Sequence, residues 1–211
     1  MILSSTGGSA FGLKINHGWH GHGYIPIFQA NATDGSTEIP RFVIYANGNV
    51  GIGTTTPGAK LHVVGTVFAE DVVLPNADCA EEFNVEASQA LEPGTVMVIG
   101  EEGTLHPCTD AYDKRVAGVL SGAGDCRPGL VLGRQPSPPP RLPLALTGKV
   151  YGKVDAQCSP IDVGDLLTTS ATPGHAMKTV DPQKAFGAVI GKALRPLREG
   201  QGLIPILIAL Q

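Results

Sequence analysis

Short runs of alternating apolar and polar residues recur along the chain, most of them bounded by glycine or proline. Phe11–Ile15 and Arg41–Tyr45 follow the two-residue period of a half-buried β-strand. Between Tyr45 and Val50, the pair Asn47–Gly48 predicts a hairpin with a type I′ turn, because both residues tolerate positive φ. The pattern therefore predicts an all-β fold.

Local amino-acid composition and pattern divide the chain into three predicted regions. Residues 1–65, rich in Gly, Asn, Thr and His, are predicted to form a β-rich fibre or shaft region. Residues 66–88 are predicted to be a connector that contains an extended apolar stretch, Val67–Leu74, and a candidate short helix over Asn76–Phe83, where Asn or Asp would cap the first turn. Residues 89–211 are predicted to form a β-barrel or sandwich head domain.

The third region carries an internal duplication. Each repeat contains a glycine turn, a strand, a second glycine turn and two further strands. A unit this short cannot bury its hydrophobic face alone, so we expect the repeats to pack as two halves of one barrel or sandwich. The segments Leu91–Val98, Gly103–Leu105 and Val116–Val119 recur about 70 residues later as Ile161–Leu167, Gly174–Met177 and Phe186–Val189.

A continuous apolar run, Leu203–Leu210, follows the second repeat. Runs of this kind are typical of strands that are covered on both faces. We expect this strand to be buried by its own barrel or by a neighbouring subunit.

Composition supports these expectations and excludes some functions. The 211 residues include 28 Gly and 17 Pro, which disfavour long helices. The net charge is −4 and no block of Lys and Arg occurs, so no nucleic-acid partner is expected. No apolar run reaches the roughly 18 residues that a membrane span requires, and the first residues lack the pattern of a signal peptide.

The segment Asn47–Pro57, followed by Lys60–Val63 and Gly65, resembles the GNVGIGT-x-x-P…LHV-x-G signature of phage tail-fibre and related bacterial appendage proteins. From Asp78 onward the chain resembles the head domains that follow such fibres in phage-derived bacterial genes. The matching elements are Ala80–Phe83, Glu92–Val96, Arg115–Val119, Gly148–Val150 and Gly164–Leu167.

This resemblance implies a structural or adhesive component of a homotrimeric appendage, in which an intertwined β shaft is followed by the head domain. The implied location is a virion or an extracellular appendage, assembled in the cytoplasm. The implied partners are further copies of the chain, other appendage or virion proteins, and a cell-surface glycan or protein receptor.

The small–large alternation in the signature suits strands that crowd a common axis, because glycine permits a close approach of backbones. We therefore predict that these residues pack at the trimer axis. The predicted packing residues are Val50, Gly51, Ile52, Gly53, Leu61 and Val63.

Many proteins of this kind end in an autoproteolytic chaperone domain with a Ser–Lys dyad. No such segment follows the signature here, so we expect a branch without self-cleavage or a mature product. Candidate nucleophiles near His or Glu are Cys79, Cys108 and Ser170, but none has a recognised catalytic context. We expect no enzymatic activity and no catalytic residues, and keep a self-processing maturation protease as an alternative.

The segment His17–Gly23 is the most suggestive for chemistry. On an extended strand His20 and His22 share one face, roughly 6–7 Å apart. Three chains would present six nitrogens to a transition metal ion on the trimer axis, and beyond this ion no cofactor is expected. Nearby Trp19 and Tyr24 are candidates for a receptor or glycan contact. The alternatives are a glycine-rich surface loop for the histidines and burial in the strand interface for Trp19.

Four cysteines, Cys79, Cys108, Cys126 and Cys158, are widely spaced. Three disulfide connectivities are open to them. We favour free thiols, because a chain of this length does not depend on disulfides for its core.

Overall fold

The computed structural model describes residues 26–33, 38–86, 91–134 and 140–209. Their regular structure is almost entirely β, which confirms the predicted fold class. Two compact units are present, Met1–Val72 (unit 1) and Val73–Gln211 (unit 2). Within the ranges described, no helix has the length and apolar character to cross a lipid bilayer.

Unit 1 contains a four-stranded sheet in the order β1-β2-β3-β4. The first three strands are antiparallel neighbours, whereas β4 runs parallel to β3. A parallel pair requires a crossover, and residues 53–60 provide it. The strands are β1 Pro26–Thr33, β2 Glu38–Tyr45, β3 Val50–Ile52 and β4 Leu61–Val63.

The hairpin between β2 and β3 is present, but its turn differs from the predicted type I′. Only Gly48 has positive φ (81°), whereas Asn47 does not. Gly48 N–H donates to the Tyr45 carbonyl, and the Asn47 side chain accepts the Asn49 N–H at 2.9 Å. The Asn47 amide oxygen stabilises the turn by this local bond, so a second residue with positive φ is not needed.

Unit 2 contains ten strands, and five of them close into a barrel. Going round the barrel, β10 neighbours β14, then β13, β11 and β12, and β12 closes the ring by pairing with β10 at Val154↔Ala176. The strands are β5 Asp78–Asn84, β6 Val96–Ile99, β7 Leu105–Pro107, β8 Val116–Leu120, β9 Pro128–Leu132, β10 Arg141–Asp155, β11 Leu166–Thr169, β12 Ala176–Lys178, β13 Val189–Ala193 and β14 Gln201–Ile208.

Strand β10 links the barrel to the strands outside it. Its second half, from Gly148 onward, pairs with β14, while its first half pairs with β5 on one edge and β8 on the other. Strands β6 and β7 extend the sheet beyond β8, and β9 runs parallel to β5. Two short helices complete the unit, a 3₁₀ helix at Glu101–Gly103 and α1 at Pro182–Ala185.

The predicted short helix over Asn76–Phe83 is wrong, because strand β5 occupies most of this segment. β5 pairs with β10 on one side and with β9 on the other. Two ladders satisfy more backbone groups than an isolated helical turn would, since helix nucleation is unfavourable in short segments.

The duplication is confirmed by matching backbone hydrogen bonds. Repeat 1 (residues 91–120) contains β6, β7 and β8, and repeat 2 (161–193) contains β11, β12 and β13. In each repeat the first strand pairs with both others, and the last strand carries a bulge directly before its glycine, Gly118 or Gly191. In repeat 1 the three bonds are Gly94 N–H to Leu120 O (2.8 Å), Leu120 N–H to Thr95 O (2.9 Å) and Cys108 N–H to Val96 O (3.0 Å). Their counterparts in repeat 2, in the same order, are Gly164 N–H to Ala193 O (2.8 Å), Ala193 N–H to Asp165 O (3.0 Å) and Thr179 N–H to Leu166 O (2.8 Å).

We predicted that the two repeats form two halves of one barrel or sandwich, and this arrangement is wrong. Only repeat 2 contributes strands to the closed ring, together with β10 and β14. Repeat 1 continues the sheet outside it, because β8 pairs with the first half of β10. One apolar core nevertheless joins them, from Val96 and Val119 to Leu167, Ile190 and Ile206.

Strand β14 is buried on one face in the single chain. Ile204, Ile206 and Ile208 point into the barrel, whereas Leu203 and Leu207 are each 41% exposed. The expectation of burial on both faces is therefore not met within one chain. Among the described residues nothing covers the outer row formed by Leu203 and Leu207.

Candidate self-association surface

The sheet of unit 1 has one face built from apolar side chains. Directly paired residues in a sheet point to the same side. The registers Phe42↔Ile52 and Ile44↔Val50 join β2 to β3, and Val50↔Leu61 and Ile52↔Val63 join β3 to β4. Phe28 pairs with Ile44, and its ring meets that of Phe42 edge to face with centroids 5.8 Å apart. We call this set the apolar face: Phe28, Phe42, Ile44, Val50, Ile52, Leu61 and Val63.

The opposite face of the same sheet is covered by its own chain. Val43 and Tyr45 are 0% and 6% exposed, and Pro57 in the crossover is buried. The Tyr45 hydroxyl donates to the Thr55 carbonyl at 2.5 Å, which fixes the crossover on this side. The apolar face has no such cover among the described residues, and Leu61 is 61% exposed.

Four of the six predicted packing residues, Val50, Ile52, Leu61 and Val63, lie on the apolar face. Gly51 points to the covered side, where a Cβ would overlap the Thr54 carbonyl oxygen. Gly53 has φ of 72° in the crossover. Contacts and backbone conformation within one chain thus explain why glycine occupies both positions. Their role at a trimer axis stays a prediction.

Phe28, Phe42 and Ile44 also belong to the apolar face, although they are not among the predicted packing residues. The alternation in Arg41–Tyr45 already places Phe42 and Ile44 on one side of β2. The register between β2 and β3, which brings them beside Val50 and Ile52, depends on the turn and could not be read from the alternation.

The stretch Val67–Leu74 is a second exposed apolar element. It has no regular secondary structure, and Phe68 and Val73 are 96% and 85% exposed. A run of exposed apolar side chains of this size is typical of a surface that contacts another molecule.

The residues predicted for metal or receptor binding, Trp19, His20, His22 and Tyr24, lie outside the described residues. Within the ranges that are described, no group of three or more His, Cys, Asp or Glu side chains could hold a metal ion. The metal and glycan hypotheses therefore stay predictions.

Two of the three candidate nucleophiles, Cys108 and Ser170, make hydrogen bonds in the described part of the chain. Burial raises the pKa of Cys108 to about 11, and its thiol donates to the His175 carbonyl at 3.2 Å. Ser170 Oγ accepts the Thr172 N–H at 3.1 Å. All four cysteines are free, in agreement with the favoured alternative.

Comparison with known proteins gives a likeness of fold. No protein-family model matches the chain, and no curated protein sequence matches it. The crystal structure of the pre-mature bacteriophage phi29 gene product 12 aligns with a TM-score of 0.50 and 14% identity, over 81% of this chain and 24% of that one. This chain thus spans about a quarter of that protein.

The head fibre gp8.5 N base of bacteriophage phi29 also aligns, over 63% of this chain and 90% of that one, with 18% identity. Its TM-score of 0.29 is too low to support an argument. At these identities the comparisons show a shared fold with the first structure and nothing further.

Proposed function

We propose that this protein is a non-enzymatic structural component of a phage tail-fibre-like appendage, and that it works as a homotrimer. The observation that carries the proposal is the uncovered apolar face. In the proposed trimer this face packs against the same face of two neighbouring chains. The likeness of fold to a bacteriophage protein and the fibre signature in Asn47–Pro57 support the same class of function.

The physical reason is that, in the described part of unit 1, the sheet has one uncovered and one covered face. A small sheet gains stability when an apolar face is packed against another element. In the described strands of unit 1, the side chains of the apolar face carry no charge, so copies of it meet without burying an unpaired ion. The crossover occupies the other face and leaves this one for neighbours.

Sedimentation equilibrium of the full chain tests the proposal. We expect a mass about three times that of the 21.8 kDa chain. Leu61→Asp places a charge on the apolar face and is expected to dissociate the assembly at micromolar concentration, since a buried unpaired carboxylate is costly. The matched control is Ala59→Asp, an exposed position in the crossover, which should leave the mass unchanged. A monomeric wild-type protein would contradict the proposal.

A further inference from the structure

In repeat 1, the start of β6 is capped by a turn from repeat 2. Val96 N–H donates to the Gly174 carbonyl at 2.9 Å, and Gly174 N–H donates to the Cys108 carbonyl at 2.8 Å. The fit is close, because a Cβ on Gly174 would lie 2.8 Å from Thr95 Cγ2. As a result Thr95 and Val96 are buried.

The corresponding position in repeat 2 is open. Leu166 and Thr179 match Val96 and Cys108 through the equivalent bond described above. Among the described residues, Leu166 N–H and the Thr179 carbonyl have no partner, and the buried Thr179 hydroxyl has none either. Leu166 is 39% exposed, and Asp165, the counterpart of the buried Thr95, is half-buried.

A cavity of about 570 Å³ lies over these groups. Its walls include Gly164, Leu166, Thr179 and Val189, and Phe186 stands at its edge with 84% of its surface exposed. The cavity is therefore the unfilled counterpart of the place that Gly174 fills in repeat 1.

The same symmetry identifies what fits there. The turn that corresponds to Thr172–Gly174 is Glu101–Gly103 in repeat 1. Thr104 N–H donates to the Glu101 carbonyl at 3.1 Å, as His175 N–H donates to the Thr172 carbonyl at 3.1 Å. Gly103 is exposed, no atom lies within 4 Å of a Cβ built on it, and its carbonyl has no partner among the described residues.

The charges around the cavity are of both signs. Asp165 lines the cavity and is paired with Lys178 at 2.8 Å. Lys184, on α1, lies 3.8 Å from Asp181. The exposed Lys192 lines the neighbouring recess with Gly164 and Leu166, so it is the cation best placed to meet an acidic turn. The turn brings two carboxylates, Glu101 and Glu102, both exposed. Opposite charges at the rim of an interface guide docking and fix its register.

We infer that the Glu101–Gly103 turn of one chain docks into the repeat 2 cavity of a neighbouring chain, where the Gly103 carbonyl accepts the Leu166 N–H. The inference rests on the proposed self-association and adds a second contact to it, made by unit 2. Turn and cavity are different surfaces, so the contact is head to tail, and it closes only as a ring. In a homotrimer each cavity would then be filled by the next chain.

Cross-linking between two variants tests the contact. In a background with Cys79, Cys126 and Cys158 replaced by Ser, chains with Glu102→Cys and chains with Phe186→Cys are co-expressed and treated with a short bis-maleimide. We expect a cross-linked pair that contains one chain of each kind, and little product from either variant alone. Asp125→Cys, an exposed acidic position outside the turn, replaces Glu102→Cys as the matched control and should give no product with Phe186→Cys.

The mass of the same samples separates this inference from the proposed function. A trimer without mixed cross-links would overturn the head-to-tail contact and leave the proposed function standing. Cross-links between identical variants would also overturn it, because they indicate a symmetric contact. A monomer would overturn both.

Discussion

Gly51 lies so close to the backbone carbonyl of Thr54 that a Cβ at position 51 would overlap the carbonyl oxygen. The same Cβ would also lie 3.0 Å from Val43 Cγ1. The glycine therefore allows the crossover to fold back on its own sheet. Contacts within a single chain therefore explain the glycine at this position.

Gly51→Ala is expected to destabilise the protein by about 1–3 kcal/mol, the usual cost of overpacking a site that cannot yield. Gly58→Ala is the matched control in the same crossover, since a Cβ there meets no atom within 4 Å. Guanidinium unfolding followed by circular dichroism measures both. Equal stability of the two variants would show that the contact at Gly51 is easily relaxed.

Asp78 gives a prediction of pH dependence. Burial raises the pKa of its carboxyl group, and the Ser121 hydroxyl nearby offsets this only in part. Because the folded-state pKa lies above the unfolded one, the folded state holds more protons between the two values. The free energy of unfolding therefore falls as the pH rises through this window.

Asp78→Asn removes the charge and is expected to raise the free energy of unfolding at pH 7 by about 1–2 kcal/mol, because burying a carboxylate costs more than burying a neutral amide. The gain should shrink as the pH is lowered into the range where a free aspartate protonates. Urea titrations of both proteins at several pH values measure this difference in the free energy of unfolding. Asp125→Asn, at an exposed position, is the control, and a gain that persists unchanged at low pH would contradict the account.

Cys108 should be unreactive in the folded protein. With a pKa of about 11, roughly one thiol in a thousand is ionised at pH 8, and the thiolate is the reactive form. Cys158 is exposed and should react first with a maleimide. Mass spectrometry of digests, with and without denaturant, measures the order. Fast labelling of Cys108 in the native protein would indicate that repeat 1 opens readily.

Gly94 and Gly164 are a natural matched pair, with φ of 89° and 90° at equivalent turns. Alanine at either position is expected to lower the free energy of unfolding by about 1–2 kcal/mol, because the backbone there is in the left-handed region. At Gly94 a Cβ would also lie 2.9 Å from Leu203 Cδ1, whereas at Gly164 no described atom of the same chain lies within 4 Å. Thermal unfolding should therefore show a larger loss for Gly94→Ala, and equal losses would contradict the asymmetry between the repeats.

Local patterns were sufficient for part of this fold. The alternation in Arg41–Tyr45 predicts β2, and the recurrence of glycine turns predicts the duplication, because neighbouring residues determine both. The segment after Pro75 shows the limit. Asn76 and Asp78 imitate a helix cap, but the ladders that make Asp78–Asn84 a strand come from β9 and β10, which lie far along the chain.

The candidate surfaces show the same division. Val50, Ile52, Leu61 and Val63 stand out in the signature, yet only the register shows that they share a face with Phe42 and Ile44. The open cavity of repeat 2 could not be predicted at all. In repeat 1 the site is filled by Gly174, whereas in repeat 2 no described residue of the same chain fills it. The two stretches of sequence do not show this difference.

The fifteen-residue strand β10 has a mechanical consequence. It carries β5 along its first half and β14 along its second, both antiparallel to it. Tension applied along β5 from the Asp78 end would load the bonds of that ladder in shear, all together rather than one after another. Force applied to β5 would therefore be distributed over the whole β5–β10 ladder and passed on to the barrel through β10 before any single hydrogen bond breaks.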